Sequence, residues 1–120
     1  MSKQARRIVI TGIGMVTPLG NDLESTWSAL LAGKSGAAKI QSFDASGFPT
    51  SIACEVKQFN IHEHIPKAKW LKQSVPFVDF ALAAAKMAFD DAGISSQSAG
   101  SDRTGCVVGS GMMTSVSLRA

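Results

Sequence analysis

An uninterrupted run of β-branched residues near the start of the chain predicts its first element. Residues 8–10, Ile-Val-Ile, do not alternate with polar positions, a pattern typical of a strand buried on both faces of a parallel sheet. Gly12 and Gly14 follow and permit close backbone packing, while Pro18 lacks the amide N–H that a sheet requires. We therefore predict a central strand that leads into a Gly/Pro turn.

Helical spacing of apolar residues after this turn predicts a first helix. Asn21 can cap it through the side-chain oxygen, and Glu24 follows three residues later, close to a capping-box arrangement. Gly33 is placed to end the helix. The stripe predicted to face a core consists of Leu23, Trp27, Leu30 and Leu31.

A second helix is predicted between a cap at Ser74 and a stop at Gly93, with Pro76 in its first turn. Its apolar positions surround most of the helix, and residues 81–85 are Ala-Leu-Ala-Ala-Ala. Such a helix is expected between two layers, covered on both sides. The residues at helical spacing are Phe77, Phe80, Ala81, Ala84, Met87 and Ala88.

Two further strands are predicted. Residues 51–57 alternate, which indicates a half-buried strand near a sheet edge, and residues 104–108 resemble a second buried strand. Residues 35–47 are interpreted as a loop and residues 60–73 as a surface connector. The resulting order of strand, helix, strand, helix, strand predicts an α/β fold. In the alternating strand, Ile52, Cys54 and Val56 are predicted to lie on the buried face and Ala53, Glu55 and Lys57 on the other.

Composition places the chain among globular proteins. It has 120 residues, a hydrophobic fraction of 45% and a mean hydropathy of +0.13, which suit one domain or part of one. No apolar run approaches the roughly 20 residues of a membrane span, and no signal-peptide core follows the basic first residues, so we expect a cytoplasmic protein without membrane association. The formal charge of +3 is spread along the chain, which argues against a nucleic-acid partner.

The Gly12-Ile13-Gly14 sequence after the first predicted strand also begins a dinucleotide-binding fingerprint. That motif requires a third glycine at position 17 and a helix that starts at once. This chain has Thr17 and Pro18 instead, with the predicted helix several residues later. Packing at the end of a strand is therefore the preferred interpretation, and a nucleotide-binding α/β domain is the alternative.

A long ordered series of motifs begins at Arg6 and ends at Gly111, covering about nine tenths of the chain. Its segments are 6–21 (RRIVITGIGMVTPLGN), 25–36 (STWSALLAGKSG), 43–44 (FD), 56–60 (VKQFN), 80–84 (FALAA), 91–94 (DAGI) and 103–111 (RTGCVVGSG). This series resembles the amino terminus of the elongating β-ketoacyl-acyl carrier protein synthases.

This resemblance implies an α/β architecture of the thiolase type, five layers built from two similar halves. Residues 1–111 would form the opening portion of the first half, and residues 112–120 a divergent tail that a truncation, a shifted reading frame or an excised piece would explain. The family catalyses decarboxylative Claisen condensation of acyl and malonyl thioesters in fatty-acid or polyketide synthesis. It is homodimeric at full length, and neither the residues nor the resemblance calls for a cofactor.

The resembled family uses a Cys nucleophile at a helix N-terminus and two His, all in later parts of its chains. Its nucleophile motif is Ala-Cys followed by small residues, whereas Cys54 precedes Glu55 and Cys106 lies between Gly105 and Val107. We therefore assign no catalytic residue here, interpret both thiols as free and as small core residues, and expect the chain to be inactive alone.

His62 and His64 flank Glu63, and on an extended backbone both rings would point the same way, as in a two-ligand metal clip. No third ligand follows at a useful spacing. We therefore predict solvated loop histidines and no metal site.

Lys69 and Lys72 are the candidate binding residues. They are three residues apart, on one face if Pro66 opens a helix, with Lys67 nearby. By position they correspond to basic residues with which the resembled family docks its acidic acyl carrier protein, although Val75-Pro76 replaces the family's Asp-Arg. The alternative for these lysines is an ordinary solvated face. For the chain as a whole, a non-catalytic module that binds the carrier protein is an alternative to the enzyme fragment.

Overall fold

The computed structural model describes residues 7–67, 69–95, 97, 100 and 102–111. The predicted tail, residues 112–120, lies outside this range. Along the chain come helix α1 (Leu23–Leu31), strands β1 (Ala38–Lys39) and β2 (Ile52–Ala53), a first 3₁₀ helix (Ile61–Glu63), a second 3₁₀ helix (Lys69–Gln73) and helix α2 (Pro76–Asp91). None of the described helices has the length and apolarity needed to cross a lipid bilayer.

Helix α1 ends where predicted but starts with a different cap. The carboxylate of Asp22 accepts the Ser25 N–H at 2.7 Å, so Asp22 is the N-cap. The predicted cap, Asn21, instead donates its side-chain N–H to the Lys57 carbonyl at 3.0 Å. Gly33 follows the helix with φ +64, a left-handed conformation that glycine adopts at little cost.

The predicted apolar stripe of α1 is not buried in this chain. Trp27 is 58% exposed and Leu31 72%, whereas the buried residues of the helix are Thr26 and Ala29. The turn 17–20 covers that side of α1, because the Thr26 hydroxyl donates to the Gly20 carbonyl at 3.2 Å and lies 3.0 Å from the Thr17 hydroxyl. No described element covers the opposite, apolar side.

The two strands predicted to be fully buried do not form here. Residues 8–10 are 96%, 65% and 83% exposed, and Val107 and Val108 are 98% and 74% exposed, with no strand assigned in either segment. A parallel strand needs hydrogen-bonded neighbours on both sides. The sheet in the described residues is the β1–β2 pair alone, so these predictions are wrong for this structure.

Strands β1 and β2 form a short antiparallel pair, with Ala38 opposite Ala53 and Lys39 opposite Ile52. Strand β1 falls inside the segment predicted as a loop, and β2 occupies part of the predicted 51–57 strand. The predicted buried face is wrong, since Ile52 is 64% exposed. Glu55, predicted to lie on the outer face, is only partly exposed. Its carboxylate accepts the N–H groups of Gln41 at 2.9 Å and Ser42 at 3.3 Å.

Helix α2 confirms the predicted second helix and carries the described core. It begins at Pro76, and Gly93 follows it with φ +65. The predicted cap Ser74 caps no backbone N–H of the helix, and its hydroxyl lies within hydrogen-bond distance of the Leu71 carbonyl, 2.8 Å, and of the Asp79 carboxylate, 2.6 Å. The core cluster consists of Ile61, Leu71 and Ala83, with Val16, Phe59, Ile65, Leu82 and Met87 packed around it.

Only one side of α2 is covered by the described residues. Ala83 is fully buried, while Ala85 and Phe89 on other faces are exposed. The expected position between two layers is therefore not found in this chain. The layer on the buried side is formed by the two 3₁₀ helices and the segment before α1.

Candidate functional site

The candidate basic site lies on the second 3₁₀ helix. Leu71 is 8% exposed and packs with Ile61 and Ala83, which fixes the inner side of this helix against α2. A 3₁₀ helix has three residues per turn, so side chains three apart lie above one another. Lys69 and Lys72 therefore share one face, as predicted, and both are exposed.

The local geometry differs from the prediction in one respect. The described helix begins at Lys69, three residues after Pro66, so Pro66 precedes this helix instead of forming its first turn. The type is 3₁₀ rather than α. The shared face of Lys69 and Lys72 is preserved because spacing of three suits either type.

The charges of this basic site are not neutralised within the described part of the chain. The ion pair found there joins Lys86 to Asp90, one turn apart on α2. Asp79, at the start of α2, accepts the Ser74 hydroxyl at 2.6 Å instead of a lysine. Lys67, Lys69 and Lys72 thus present their ammonium groups to solvent, which is the arrangement a surface for an acidic partner requires.

Trp70 belongs to the same short helix and is 54% exposed. The sequence pattern placed it only among spaced apolar residues of a connector. The signal that would have singled it out is a tryptophan directly after Lys69, at a position that a 3₁₀ helix turns away from the buried Leu71.

Neither cysteine lies in a site suited to a nucleophile. Cys54 and Cys106 are free and exposed, so the prediction of free thiols is confirmed and that of buried core residues is wrong. Cys54 directly follows β2, and Cys106 lies in a segment without helix or strand. A thiolate is favoured at a helix N-terminus or beside a cation, and neither thiol directly precedes a helix in the described residues.

The two histidines take different positions, because residues 61–63 form a 3₁₀ helix and not the extended backbone of a metal clip. The His64 ring stacks on Phe59 with centroids 6.0 Å apart and an interplanar angle of 12°. His62 is exposed, and its backbone N–H donates to the Asn60 side chain at 3.1 Å. No cluster of three metal-ligating side chains occurs in the part of the chain that the structure describes.

The Gly12–Gly14 segment packs directly against α2. A methyl group built on Gly12 would lie 2.8 Å from the Ala92 Cβ and collide with the Ala88 carbonyl, and one on Gly14 would collide with the Ala84 carbonyl. The Ile13 N–H between them donates to the Asp91 carboxylate at 2.9 Å. The glycines therefore serve close backbone packing on α2, which confirms the predicted close packing but not its place at the end of a strand, since none forms there.

The groove beside the N-terminus of α1 is also unsuited to a pyrophosphate. It measures about 530 Å³ and includes Asp22 and Glu63 in its lining. The Asp22 carboxylate already occupies the N-cap, where the hydrogen bond from the Ser25 N–H lowers the pKa of Asp22. Two carboxylates at this position would repel an anionic ligand.

The comparisons with known proteins define the class to which this chain belongs. Residues 5–119 match the family model of the β-ketoacyl synthase N-terminal domain, so the chain is a member of that family. This confirms the resemblance drawn from the sequence motifs. The match extends past Gly111, and the domain boundary placed there stays a prediction.

Particular relatives are 3-oxoacyl-(acyl-carrier-protein) synthases 2. The enzyme of Coxiella burnetii is 44% identical over 91% of this chain, and that of Vibrio harveyi 42% identical over 93%. The chain spans about a quarter, 26%, of the length of each.

A solved structure supports the same class. The ishigamide ketosynthase/chain length factor superposes with a TM-score of 0.70 at 39% identity, covering 78% of this chain and 23% of its own. The mixed helices and strands of the chain agree with the predicted α/β class.

Proposed function

We propose that this chain is the N-terminal part of a 3-oxoacyl-(acyl-carrier-protein) synthase and forms the opening portion of the first half of a thiolase-like fold. The observation that carries the proposal is the 44% identity with the Coxiella burnetii enzyme over 91% of the chain. The close packing of Gly12 and Gly14 on α2 supports a scaffolding role for these residues.

The proposed reaction is a decarboxylative Claisen condensation. An enzyme thiolate takes the acyl group from its carrier protein, a malonyl thioester loses CO₂ to give an enolate, and the enolate carbon attacks the acyl thioester, releasing the thiolate. Hydrogen-bond donors must stabilise the negative charge on the thioester oxygens. We place the nucleophile and these donors in the part of the enzyme outside this chain, since Cys54 and Cys106 lack a helix N-terminus.

The isolated chain should therefore form no acyl-enzyme and no 3-oxoacyl product. Incubation with acyl-carrier protein and malonyl-carrier protein, followed by intact-mass measurement, tests this. The matched variants are Cys54→Ala and Cys106→Ala. A stable adduct on the parent chain that disappears in either variant would assign that thiol as the nucleophile and refute the proposal.

A chimaera provides the positive arm of this test. Replacing the matched quarter of the Coxiella burnetii synthase with this chain should give a protein that forms the 3-oxoacyl product. A chimaera that melts cooperatively but makes no product would favour the non-catalytic carrier-protein-binding alternative.

We further propose that Lys69 and Lys72 dock the acidic acyl carrier protein. Their shared face, exposure and lack of an ion pair among the described residues support this role. The names of the relatives include the acyl carrier protein, and their 44% and 42% identity to this chain supports extending that partner to it.

Reversing both charges, Lys69→Glu with Lys72→Glu, should weaken carrier-protein binding and flatten its salt dependence, because exposed charges attract over a screened distance. Titration calorimetry at low and high salt measures both effects. The control is Lys34→Glu with Lys39→Glu, which makes the same change in net charge at two other exposed lysines. Equal losses in both double variants would mean that overall charge, and not this site, governs binding.

A further inference from the structure

Trp70 is exposed although the element that carries it is firmly packed. The adjacent Leu71 occupies the core with Ile61 and Ala83. Successive side chains of a 3₁₀ helix point about 120° apart, so Trp70 could enter the core only if Leu71 left it. The indole therefore stays on the outer surface, where it is 54% exposed.

The surroundings of Trp70 differ from those of the other tryptophan, Trp27. Trp27 lies on α1 among exposed leucines, in an apolar stripe typical of a face that another layer of protein covers. Trp70 directly follows Lys69 in the sequence and precedes Lys72 by two residues, and the shared face of these lysines lies about 120° around the helix from the indole. An interior layer over this position would bury unpaired ammonium groups at high cost, so the surface around Trp70 suits a partner that brings negative charge.

Protein interfaces commonly combine a central tryptophan with charged residues at the rim. Tryptophan is enriched among the residues that contribute most binding energy, because its large apolar surface is fully dehydrated on contact. Charged side chains at the rim direct encounter and orientation. The second 3₁₀ helix presents both components within four residues, 69–72.

We propose that Trp70 is the apolar anchor of the carrier-protein docking surface. In this arrangement the indole packs on an apolar patch of the acidic carrier protein while Lys69 and Lys72 contact its carboxylates. This inference rests on the docking function proposed above and adds a residue, and a type of contact, that charge alone does not supply.

The chain has two tryptophans, which allows each to be observed separately. The Trp27→Phe variant leaves Trp70 as the reporter, and Trp70→Phe leaves Trp27. Titration with a carrier protein that lacks tryptophan should shift Trp70 emission to the blue and reduce its quenching by acrylamide. The Trp27 reporter should not respond, which controls for general changes in the chain.

Affinity measurements separate the apolar and charged contributions. Trp70→Ala should weaken binding about tenfold, at low and high salt alike, because apolar contact is not screened by ions. Trp27→Ala, at a similarly exposed tryptophan, should bind like the parent. Circular dichroism should show unchanged helix content in both variants, since neither residue is in the core.

The outcomes distinguish this inference from the docking proposal on which it rests. If Lys69→Glu/Lys72→Glu weakens binding but Trp70→Ala binds like the parent and Trp70 emission is unchanged, docking stands and the anchor is refuted. If the parent chain shows no saturable binding, both are refuted. Loss of binding in Trp70→Ala with a blue shift confined to Trp70 supports the anchor.

Discussion

Asp22 shows how one side chain sets the start of an element. Its carboxylate accepts the Ser25 N–H, one of the amide groups that a helix N-terminus leaves unpaired. This hydrogen bond lowers the pKa of Asp22 below its ordinary value of 3.8, against a smaller opposing effect of desolvation. The carboxylate also lies at the positive end of the α1 dipole, which favours its charged form.

Removing this cap should destabilise α1. Asp22→Ala should lower the free energy of unfolding by about 1 kcal/mol at pH 7, because the Ser25 N–H loses its partner. The pKa of Asp22 is lower in the folded than in the unfolded chain, so the charged cap contributes its full stability above the unfolded pKa. That contribution is lost as the pH falls through the folded pKa. Asp22→Asn keeps a cap oxygen but has no charge, so it should remove the part of the stability that the parent chain loses at acidic pH.

Urea unfolding followed by helical circular dichroism at pH 7 and at pH 3 measures these differences. Asn21→Ala is the matched control, since Asn21 hydrogen-bonds to Lys57 and not to α1. A larger loss in Asn21→Ala than in Asp22→Ala would contradict the assignment of the cap.

Sequence reasoning located this cap to within one residue and could not go further. Asn21 and Asp22 are adjacent and both have side chains that cap helices well. The choice depends on the 17–20 turn, whose hydrogen bonds to Thr26 fix where the first helical residue lies. Those contacts span six to nine residues and leave no periodic signal.

At the scale of elements, α2 and the Gly12–Gly14 segment form a close long-range contact. Small side chains at Ala84, Ala88 and Ala92 recur at helical spacing and let the glycine backbone lie on the helix. The Asp91 carboxylate holds the Ile13 N–H at the same place. Backbone approach this close leaves no room for a Cβ.

Gly14→Ala should therefore destabilise the chain by about 1–3 kcal/mol, the usual range for an overpacked interior contact. Gly47→Ala is the control, since a methyl group there meets nothing within 4 Å. Thermal unfolding of both variants, followed by circular dichroism, measures the difference. Equal melting temperatures would mean that the segment does not rest on α2 in solution.

The elements that were predicted well are those whose signals are local. Both helices were found because glycine stops and apolar spacing are local signals, although neither of the predicted cap residues makes the cap. Residues 8–10 and 104–108 have the composition of buried strands, but a strand exists only with neighbours, and neither segment pairs with one in the part of the chain that the structure describes. These two segments therefore favour a strand by their composition but do not form one in this structure.

The whole molecule is more open than a closed domain of its length. Its Cα radius of gyration is 18.1 Å, against about 14 Å for a compact chain of this size. The core cluster consists of Ile61, Leu71 and Ala83, all on one side of α2. The shared face of Lys69 and Lys72 in the candidate basic site could be predicted from the sequence, because a spacing of three residues is a local property. The exposure of the apolar elements could not be predicted, because it depends on long-range contacts.

The exposed apolar surface should cause self-association. Residues 8–10, Trp27, Leu31 and Val107 are each more than half exposed, and contiguous apolar surface or unpaired strand-forming segments drive association of incompletely covered folds. Light scattering should show a mean mass that rises with protein concentration. Val9→Lys with Val107→Lys should reduce the rise without loss of helix, because neither residue belongs to the core cluster.

Leu71→Lys is the opposing control for this prediction. It places a charge in the core cluster, so it should lower helix content and should not suppress association. A parent chain that stays monomeric at every concentration and melts in one cooperative step would mean that these apolar segments find cover within the chain. That result would contradict the open arrangement and would require residues 8–10 to pair in solution.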